Sequence, residues 1–445
     1  MADVIIIGSG VIGNSCALQL NRKGFRTLNI DKGPAAGSGS TSYSSGNLRS
    51  MYTALTSTMF ADEGYHFWQG WADNLGLPSD TNTGIAQYRE SGGGIIWTTA
   101  SSGFLESCYV NHDHLGIPYE ILDSADLVKR FPVFDTTAYY PPRRIDDPLF
   151  GTPSDEHRFY GAGYFPQAGY VSDPMLAANN VMSAAKATGR SEYLFNTEVK
   201  SIDKTNGRVS GVTTADGDKI EAPIVLNVGG PHSAQITALA FAGSGVENDM
   251  NVTTRAMRTE VAYVQSMPEF PYHQDGPTFA DFDVGVYWRP QVGGQILIGS
   301  IEPECDNEFH EHLSDADRLD TGFTEQMTNQ IYRAALRMPT LPIPSGSDTA
   351  GIVAMYDVSN DWIPIYDKSA IPGYYMAIGT SGNQFKCTGP AGLLVSSIID
   401  YVENGGEHDE EPLHVAMPIT GHEIDASFYS RLRAQSHETS GTVMG

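Results

Sequence analysis

The glycine motif near the N-terminus constrains the fold of this chain more than any other feature of the sequence. A short run of apolar, mostly β-branched residues, Val4–Ile7, is typical of a strand that is buried on both faces. The pattern G-x-G-x-x-G follows directly at Gly8, Gly10 and Gly13. In such a motif the first glycine allows a tight turn, the second lets a pyrophosphate approach the backbone, and the third lets the next helix pack close to the strand.

The residues after the motif continue the pattern of a βαβ unit. Apolar residues at helical spacing predict a helix over 11–23, which Gly24 ends, and residues 25–30 predict the second strand. Asp31 then stands where an acid binds a ribose hydroxyl in dinucleotide-binding units. These features predict a site for an adenine dinucleotide, and the alternative is a glycine-rich turn in an ordinary βαβ unit.

The composition excludes several classes of partner. The chain has 445 residues, of which 53 are acidic and 27 are Lys or Arg, and its net charge is -26. This charge repels nucleic acid and anionic lipid, so we expect neither as a partner. No apolar run approaches the roughly 20 residues that span a bilayer. Because no basic segment precedes the first strand either, we expect a cytoplasmic protein without a membrane span.

The cysteines and histidines do not indicate a metal site. The four cysteines contain no C-x-x-C pattern, and neither a zinc site nor a disulfide framework is indicated. Two H-x-H pairs, His112 with His114 and His310 with His312, lack the further ligands of a site with fixed spacing. We therefore expect exposed histidines rather than metal ligands at these positions.

The middle of the chain shows the patterns of further sheets. A Gly- and Ser-rich loop over 33–45 either wraps a phosphate or ring edge or is a plain flexible loop, and a helix is predicted over 55–75. A three-stranded meander over 198–222 leads into a buried strand over 224–228 that ends at paired glycines. Residues 252–302 alternate between apolar and polar, which predicts an antiparallel sheet on which a substrate can rest.

The last third of the chain returns to the first domain. It contains a predicted strand over 374–378, a glycine loop with the sequence GTSGN, and a helix over 389–401. The N-terminus of that helix carries about half a positive charge toward whatever binds at the loop. This placement stabilises negative charge on a bound group.

Two basic residues flank the predicted glycine loops. Arg49 follows the first loop and Lys386 lies on the last one. Together they can clamp a carboxylate, because Arg binds it with a two-pronged fork and Lys acts as a point charge. The alternative for each is a solvated surface charge. Tyr52, Trp288 and Tyr356 are predicted at turns or strand ends near the same elements.

These motifs resemble those of the D-amino acid oxidase-like superfamily of FAD-dependent amine oxidoreductases. Within it, the chain looks most like monomeric sarcosine oxidase and the sarcosine oxidase β-subunit group. The shared stretches are DVIIIGSGVIG, SSGNLRSMY, QAGYVSDP, VLNVGGPHS and IGTSGNQFKCTGPAG, in an order that holds from about Asp3 to Gly405. The resemblance implies an extended FAD with Asp31 on its adenosine ribose, and a substrate over the flavin re-face.

The resemblance also gives roles to five residues. Arg49, in the pattern R-x-x-Y with Tyr52, corresponds to the arginine that holds the substrate carboxylate, and Lys386 corresponds to the lysine on its other side. Tyr356 corresponds to an aromatic wall of the pocket. Trp288 falls, with a gap of one residue, where a tyrosine lines that pocket.

Two departures from the family pattern affect the chemistry. Ala354 stands where the family cysteine carries the flavin covalently, so we expect non-covalent FAD. Leu297 stands near the lysine that is credited with oxygen activation, which favours an electron acceptor other than O2.

We therefore predict an α/β plus α+β chain, with a Rossmann-type FAD-binding domain and a discontinuous antiparallel-sheet substrate domain. The FAD-binding domain is predicted to comprise 1–80, 152–232 and 346–415, the substrate domain 81–151 and 233–345, and a C-terminal tail 416–445. The residues predicted to contact FAD are Gly8, Gly10, Gly13, Asp31, Ser44, Ser45, Val199, Gly229, Gly230, Gly379, Gly382, Asn383 and Gln384.

The predicted function is oxidation of the C–N bond of a small amino or N-alkylamino acid by hydride transfer to flavin. A small carboxylated amine is the expected substrate, and either O2 or an electron-acceptor protein takes the electrons. Two alternatives stay open: a flavoprotein subunit of a hetero-oligomeric amine dehydrogenase, and an FAD-dependent hydroxy-acid dehydrogenase.

Overall fold

A computed structural model describes residues 2–77, 84–267 and 276–445 of the chain. The predicted domain boundary at residue 80 lies outside these residues. The described helices are Val11–Arg22, Leu55–Gln69, Trp71–Leu75, Ser102–Leu115, Ser124–Arg130, Pro174–Ala187, Ser233–Phe241, Glu325–Arg337 and Thr388–Glu403. Short 3-10 turns occur at Gly230–His232, Glu304–Phe309, Ala316–Arg318, Gly346–Asp348, Phe385–Cys387 and Ala426–Tyr429.

The predicted βαβ unit forms the centre of a six-stranded sheet, so the Rossmann-type prediction is confirmed. Val4–Ile7 is buried along its whole length and pairs in parallel with Thr27–Ile30 on one side and Ile224–Asn227 on the other. Among the described strands of this sheet, only the edge strand Ile365–Lys368 runs antiparallel to its neighbour. In spatial order the strands are Ile365–Lys368, Tyr374–Ile378, Ile224–Asn227, Val4–Ile7, Thr27–Ile30 and Ser191–Leu194.

The glycine turn packs too closely for any other residue at two of its positions. Gly8 has φ +119, and a Cβ there would overlap the carbonyl oxygen of Val228. A Cβ on Gly13 would overlap the carbonyl oxygen of Gly8, across the contact between the first helix and the first strand. The turn therefore requires glycine for both backbone conformation and close packing.

Three helices pack together on this sheet. The first helix, Val11–Arg22, packs against Pro174–Ala187 and Thr388–Glu403. Asp173 caps the N-terminus of Pro174–Ala187 by accepting a hydrogen bond from Leu176 N at 2.8 Å. The single helix predicted over 55–75 is interrupted at Gly70, which separates Leu55–Gln69 from Trp71–Leu75.

A nine-stranded sheet forms the second layer, and its composition corrects the predicted division of the chain. Ala350–Ser359, predicted in the FAD-binding domain, pairs along its length with Thr254–Gln265 of the substrate sheet. Phe159–Phe165, also predicted in the FAD-binding domain, pairs with Gly93–Thr98. The remaining strands are Glu120–Asp123, Thr278–Asp281, Val286–Gln291, Gln295–Ser300 and His312–Leu313.

This large sheet is antiparallel apart from one pair. Thr278–Asp281 runs parallel to Gly93–Thr98, which joins the two parts of the sheet that come from separate stretches of chain. Smaller sheets are the predicted meander, formed by Val199–Thr205, Arg208–Thr214 and Lys219–Glu221, a three-stranded sheet of Asn47–Leu48, Tyr88–Arg89 and Gly169–Val171, and a hairpin of His414–Ala416 and Glu423–Asp425.

The C-terminal segment is packed into the fold rather than forming an acidic tail. Tyr429 is buried against Phe60 at 5.1 Å between ring centroids. Arg431 forms ion pairs with Asp249 at 2.6 Å and Asp409 at 2.8 Å. Among the described helices, none combines the length and the apolar character that a bilayer span requires. A cytoplasmic location stays a prediction.

Replacing Gly13 tests the packing of the glycine turn. We expect Gly13→Ala to lower the free energy of unfolding by about 1–3 kcal/mol, because the added methyl group must push the helix from the strand. The variant should also retain less FAD on purification, measured by the ratio of flavin to protein absorbance. Gly39→Ala is the matched control, since nothing lies within 4 Å of a Cβ there. Equal stability and FAD content of both variants would contradict the prediction.

Candidate functional site

A cavity between the two large sheets begins at the glycine turn and contains the residues singled out in the sequence. It contains about 1330 Å³ of space that protein atoms do not fill, part of which is open to solvent. One end is formed by Val11 and Ile12, at the start of the first helix, and the other by Arg49 and Lys386. Further lining residues are Ser40, Thr41, Ser44, Ser45, Gly46, Gly230, Thr259, Tyr287, Ala354, Tyr356, Asp357, Gly382, Asn383, Gln384, Val443 and Met444.

The helix end of the cavity has the features of a dinucleotide cradle. Asp31 accepts hydrogen bonds from Ser9 N and from Gly33 N, both at 2.7 Å, so it holds the glycine turn and the next loop together. Thr41 Oγ1 accepts a hydrogen bond from Val11 N at 3.2 Å. Because no acidic side chain lies in the first turn of this helix, its positive end is free to face a pyrophosphate. These residues fit FAD.

The predicted cofactor residues divide into two groups by position. Ser44, Ser45, Gly230, Gly382, Asn383 and Gln384 line the cavity. Gly382 has φ +68 and a Cβ there would overlap the ring of Tyr356, so glycine lets the loop approach that wall. Gly379 lies behind the wall, where its N–H donates to Asp357 Oδ2 at 2.6 Å. Gly229 packs against Ile236, and Val199 is buried where the meander begins.

Arg49 and Lys386 both contact Tyr52. The Arg49 guanidinium carbon lies 4.5 Å from the centre of the Tyr52 ring, and Lys386 Nζ lies 5.2 Å from it. Lys386 Nζ donates to Tyr52 Oη at 2.8 Å and also to the carbonyl oxygen of Asn383. Within the described residues neither cation has a carboxylate within 4.0 Å. The site therefore holds two basic side chains that form no ion pair with an acidic side chain of the described residues.

Burial shifts the protonation equilibrium of this cluster. Burial, together with the charge of Arg49, holds the pKa of the Lys386 ammonium well below its usual range. Burial raises the pKa of the Tyr52 hydroxyl, so Tyr52 stays neutral. An anion bound between the two cations would favour the charged form of Lys386.

The guanidinium of Arg49 also contacts the C-terminal segment. It donates to the carbonyl oxygens of Val443 at 2.8 Å and Met444 at 2.7 Å, and to that of Met51. Val443 and Met444 are buried at the cavity. The sequence patterns that predicted Arg49 did not predict this segment, since it is short and shows no helix or strand period.

Tyr356 lies at the cavity, but the prediction for Trp288 is wrong. Trp288 is fully buried in the core of the large sheet, where it packs against Phe134 and Phe279. The adjacent residue, Tyr287, lines the cavity instead and hydrogen-bonds to Ser45 Oγ at 2.7 Å. Because successive residues of a strand face opposite sides of the sheet, the assignment was one residue out of register.

Three charged or acidic residues near the cavity were not predicted: Arg289 and Asp357 are buried, and Glu302 is half-buried. Arg289 donates through Nε to the carbonyl oxygen of Ser45 at 2.6 Å, and burial lowers its pKa to about 10. Burial raises the pKa of Asp357 to about 7, although Ser233 Oγ donates to it at 2.7 Å. Burial also raises the pKa of Glu302 to about 8. Each is a single residue within a strand or turn and belongs to no motif.

The two positions that depart from the family pattern lie on neighbouring parts of the large sheet. Ala354 lines the cavity and presents only a methyl group. Leu297 is buried and stands opposite Arg289 across the strand pair.

The expectation of exposed histidines is wrong for two of the four. His112 is buried, and burial lowers its pKa to about 4. His310 is also buried, and its pKa is lowered for the same reason. His114 and His312 are exposed. In the described part of the chain no group of three or more His, Cys, Asp or Glu side chains is arranged to hold a metal ion.

Comparisons with known proteins agree with this geometry. A family model described as "DAO: FAD dependent oxidoreductase" matches residues 3–398. The chain is 22% identical over 412 residues to the mitochondrial pyruvate dehydrogenase phosphatase regulatory subunit of Mus musculus, covering 90% of this chain and 41% of that protein. It is 22% identical over 339 residues to FAD-dependent oxidoreductase domain-containing protein 1 of Xenopus laevis, covering 70% and 64%. The chain thus spans less than two thirds of these relatives.

Solved structures show the same fold at low identity. L-proline dehydrogenase from P. horikoshii superposes with a TM-score of 0.73 and 18% identity, covering 97% of each chain. Glycine oxidase from Geobacillus kaustophilus superposes with a TM-score of 0.68 and 21% identity, covering 92% of this chain and 97% of that one.

The buried ammonium of Lys386 predicts a dependence of stability on pH. Because its folded pKa is lowered, the unfolded chain binds more protons there at pH values below about 10. Stability must therefore rise with pH between the folded and the unfolded pKa. In urea unfolding measured between about pH 6 and pH 9, we expect the midpoint of Lys386→Met to rise less with pH than that of the wild-type protein, because the contribution of Lys386 is lost. The exposed Lys219→Met is the control, and the same pH slope in all three proteins would contradict the prediction.

Proposed function

Since the chain belongs to the DAO family of FAD-dependent oxidoreductases, we propose that it oxidises the C–N bond of a small amino or N-alkylamino acid. The observation that carries the proposal is that two basic side chains, Arg49 and Lys386, line the cavity. Neither of them forms an ion pair with an acidic side chain among the described residues. Two such side chains fit a substrate carboxylate. The same class of substrate is supported by the two structures with a similar fold, which are named as an L-proline dehydrogenase and a glycine oxidase.

We propose that the glycine turn, Asp31, and the loops at 40–47 and 379–384 hold FAD non-covalently. When bound there, FAD supplies the two-electron acceptor for the oxidation. The methyl group of Ala354 gives no nucleophile for a covalent link at that position. A positive helix end lies at each end of this binding region, before Val11–Arg22 and before Thr388–Glu403.

The chain's own residues then orient the substrate. Arg49 and Lys386 bind its carboxylate, and Tyr52 contacts both cations and positions Lys386 by accepting a hydrogen bond from its Nζ. Tyr287 and Tyr356 form an aromatic wall on the side of the large sheet. Restricting the carboxylate at one end and the side chain at the wall leaves the C–N bond in one orientation, which lowers the entropic part of the barrier.

Anaerobic mixing with a panel of substrates tests the proposal. We expect bleaching of the flavin absorbance by at least one member of a panel of D-amino, L-amino, N-methyl and cyclic amino acids. Hydroxy acids of matched shape form the second arm, and bleaching by these alone would show a hydroxy-acid dehydrogenase instead. If no carboxylated amine bleaches the flavin of the FAD-loaded protein, the proposal is wrong.

Removing the charge of Arg49 should weaken binding of the carboxylate. We expect Arg49→Met to lower kcat/KM for the best carboxylated amine by about 30- to 1000-fold, because a charge-assisted hydrogen-bond pair is lost. The same amine without its carboxylate should react equally with both proteins. A parallel loss for both amines would show that Arg49 supports the fold rather than the carboxylate.

We further propose an electron acceptor other than O2. The support is Leu297, a buried apolar residue where the resemblance implies a lysine that activates oxygen. We expect the reduced holoprotein to consume O2 slowly and to reduce a dye acceptor at least tenfold faster, measured in a stopped-flow instrument. Rapid O2 consumption at the rate of substrate turnover would contradict it.

A further inference from the structure

The main chain of Val443 is held at the cavity by hydrogen bonds to the guanidinium of Arg49 and the carboxyl group of Glu302. Its carbonyl oxygen accepts a hydrogen bond from Arg49 Nη2 at 2.8 Å, and its N–H donates to Glu302 Oε2, also at 2.8 Å. The N–Cα–C=O atoms of one residue are the same skeleton as the N–Cα–COO⁻ of an α-amino acid. Val443 is therefore bound as an α-amino acid would be, with its nitrogen on a carboxyl group and its carbonyl on a guanidinium.

Glu302 has the environment of a group that binds a ligand. Its φ is +55, in the left-handed region that non-glycine residues rarely adopt. Its Oε1 is buried and has no hydrogen-bond partner among the described residues. A buried carboxyl oxygen without a partner is unfavourable unless a ligand supplies one.

From this arrangement we propose that Glu302 binds the amino group of the substrate while Arg49 binds its carboxylate, and that the Val443 main chain occupies this place until substrate displaces it. The inference rests on the proposed function, because it places a carboxylated amine in the cavity. It adds the recognition element for the amine. An α-amino or α-alkylamino acid satisfies both contacts at once, whereas a hydroxy acid leaves Glu302 without a cationic partner.

The protonation of Glu302 gives a signature that separates amine binding from a structural role. Burial and the charge of Asp306 raise its pKa to about 8, although the Val443 N–H opposes the shift. The other ionisable groups that interact with it are the hydroxyls of Tyr287 and Tyr356. An ammonium group that binds beside Glu302 favours the carboxylate, so binding at neutral pH releases a proton.

Matched ligand pairs test the proposal on the full FAD-loaded chain. The pairs are proline with tetrahydrofuran-2-carboxylate and N-methylglycine with methoxyacetate, in which oxygen replaces the amine. Dissociation constants come from anaerobic perturbation of the flavin spectrum, or from competition where the amine is oxidised. We expect Glu302→Gln to weaken the amines by about 10- to 100-fold, as for a lost hydrogen bond between charged groups, and to leave the oxygen analogues unchanged.

The ratio of amine affinity to analogue affinity removes the effect of Lys386, since both ligands carry the carboxylate. In the wild-type protein this ratio should rise with pH, by up to about tenfold per unit below about pH 8. The rise should be absent in Glu302→Gln. Equal weakening of both members of each pair, an unchanged pH dependence, or failure of every amine to bind the wild-type protein would overturn the proposal.

Two further variants test whether Val443 stands in the ligand's place. Val443→Pro removes the N–H that Glu302 accepts, and we expect at least threefold tighter binding of every probe. Val443→Ala keeps that N–H and is the control for lost side-chain packing. Unchanged affinity in Val443→Pro would show that the segment does not compete with ligand. Amines that bind with the predicted Glu302 dependence but never bleach the flavin would refute the oxidation and leave the assignment of Glu302 standing.

Discussion

Two basic side chains, Arg49 and Lys386, held beside the buried ring of Tyr52 are the constraint on which this site depends. Like charges in a water-poor site repel each other, and the described contacts that offset this are carbonyl oxygens and the ring and hydroxyl of Tyr52. Carbonyl groups and aromatic rings carry partial charges, so a positive potential remains in the cavity. A bound anion relieves a cost that is built into the folded state, which is why we assign a carboxylate to this position.

The cations are brought together by a strand that belongs to both layers. Ala350–Ser359 pairs with Thr254–Gln265 in the large sheet, and its Val358 forms a bridge with Thr380 at the start of the last glycine loop. That loop carries Lys386, while Arg49 follows the loop that lines the cavity from the other side. The position of Lys386 relative to Arg49 therefore depends on both sheets, and the site cannot form within either one alone.

The sequence was sufficient for the parts of the structure that local rules determine. The glycine turn and its βαβ unit could be predicted because steric limits at Gly8 and Gly13 act over a few neighbouring residues. Which strand joins which sheet could not, since Ala350–Ser359 and Phe159–Phe165 pair with partners far away in sequence. The prediction of Trp288 instead of Tyr287 as a cavity residue also failed because of strand pairing, since register decides which side of a strand faces the cavity.

Residues without a motif lay beyond sequence reasoning for a different reason. Glu302 and Asp357, which were not predicted, are shifted toward their neutral forms by burial, as is the predicted Lys386, and burial is a property of the assembled layers. The guanidinium of Arg49 keeps its charge, so the positive potential of the site comes mainly from this side chain while Lys386 and Glu302 are shifted toward their neutral forms. These two groups gain charge as a zwitterion enters, because the ligand's carboxylate favours the ammonium of Lys386 and its amine favours the carboxylate of Glu302. Under the proposed function, the burial that shifts these groups thus favours a ligand that carries both charges.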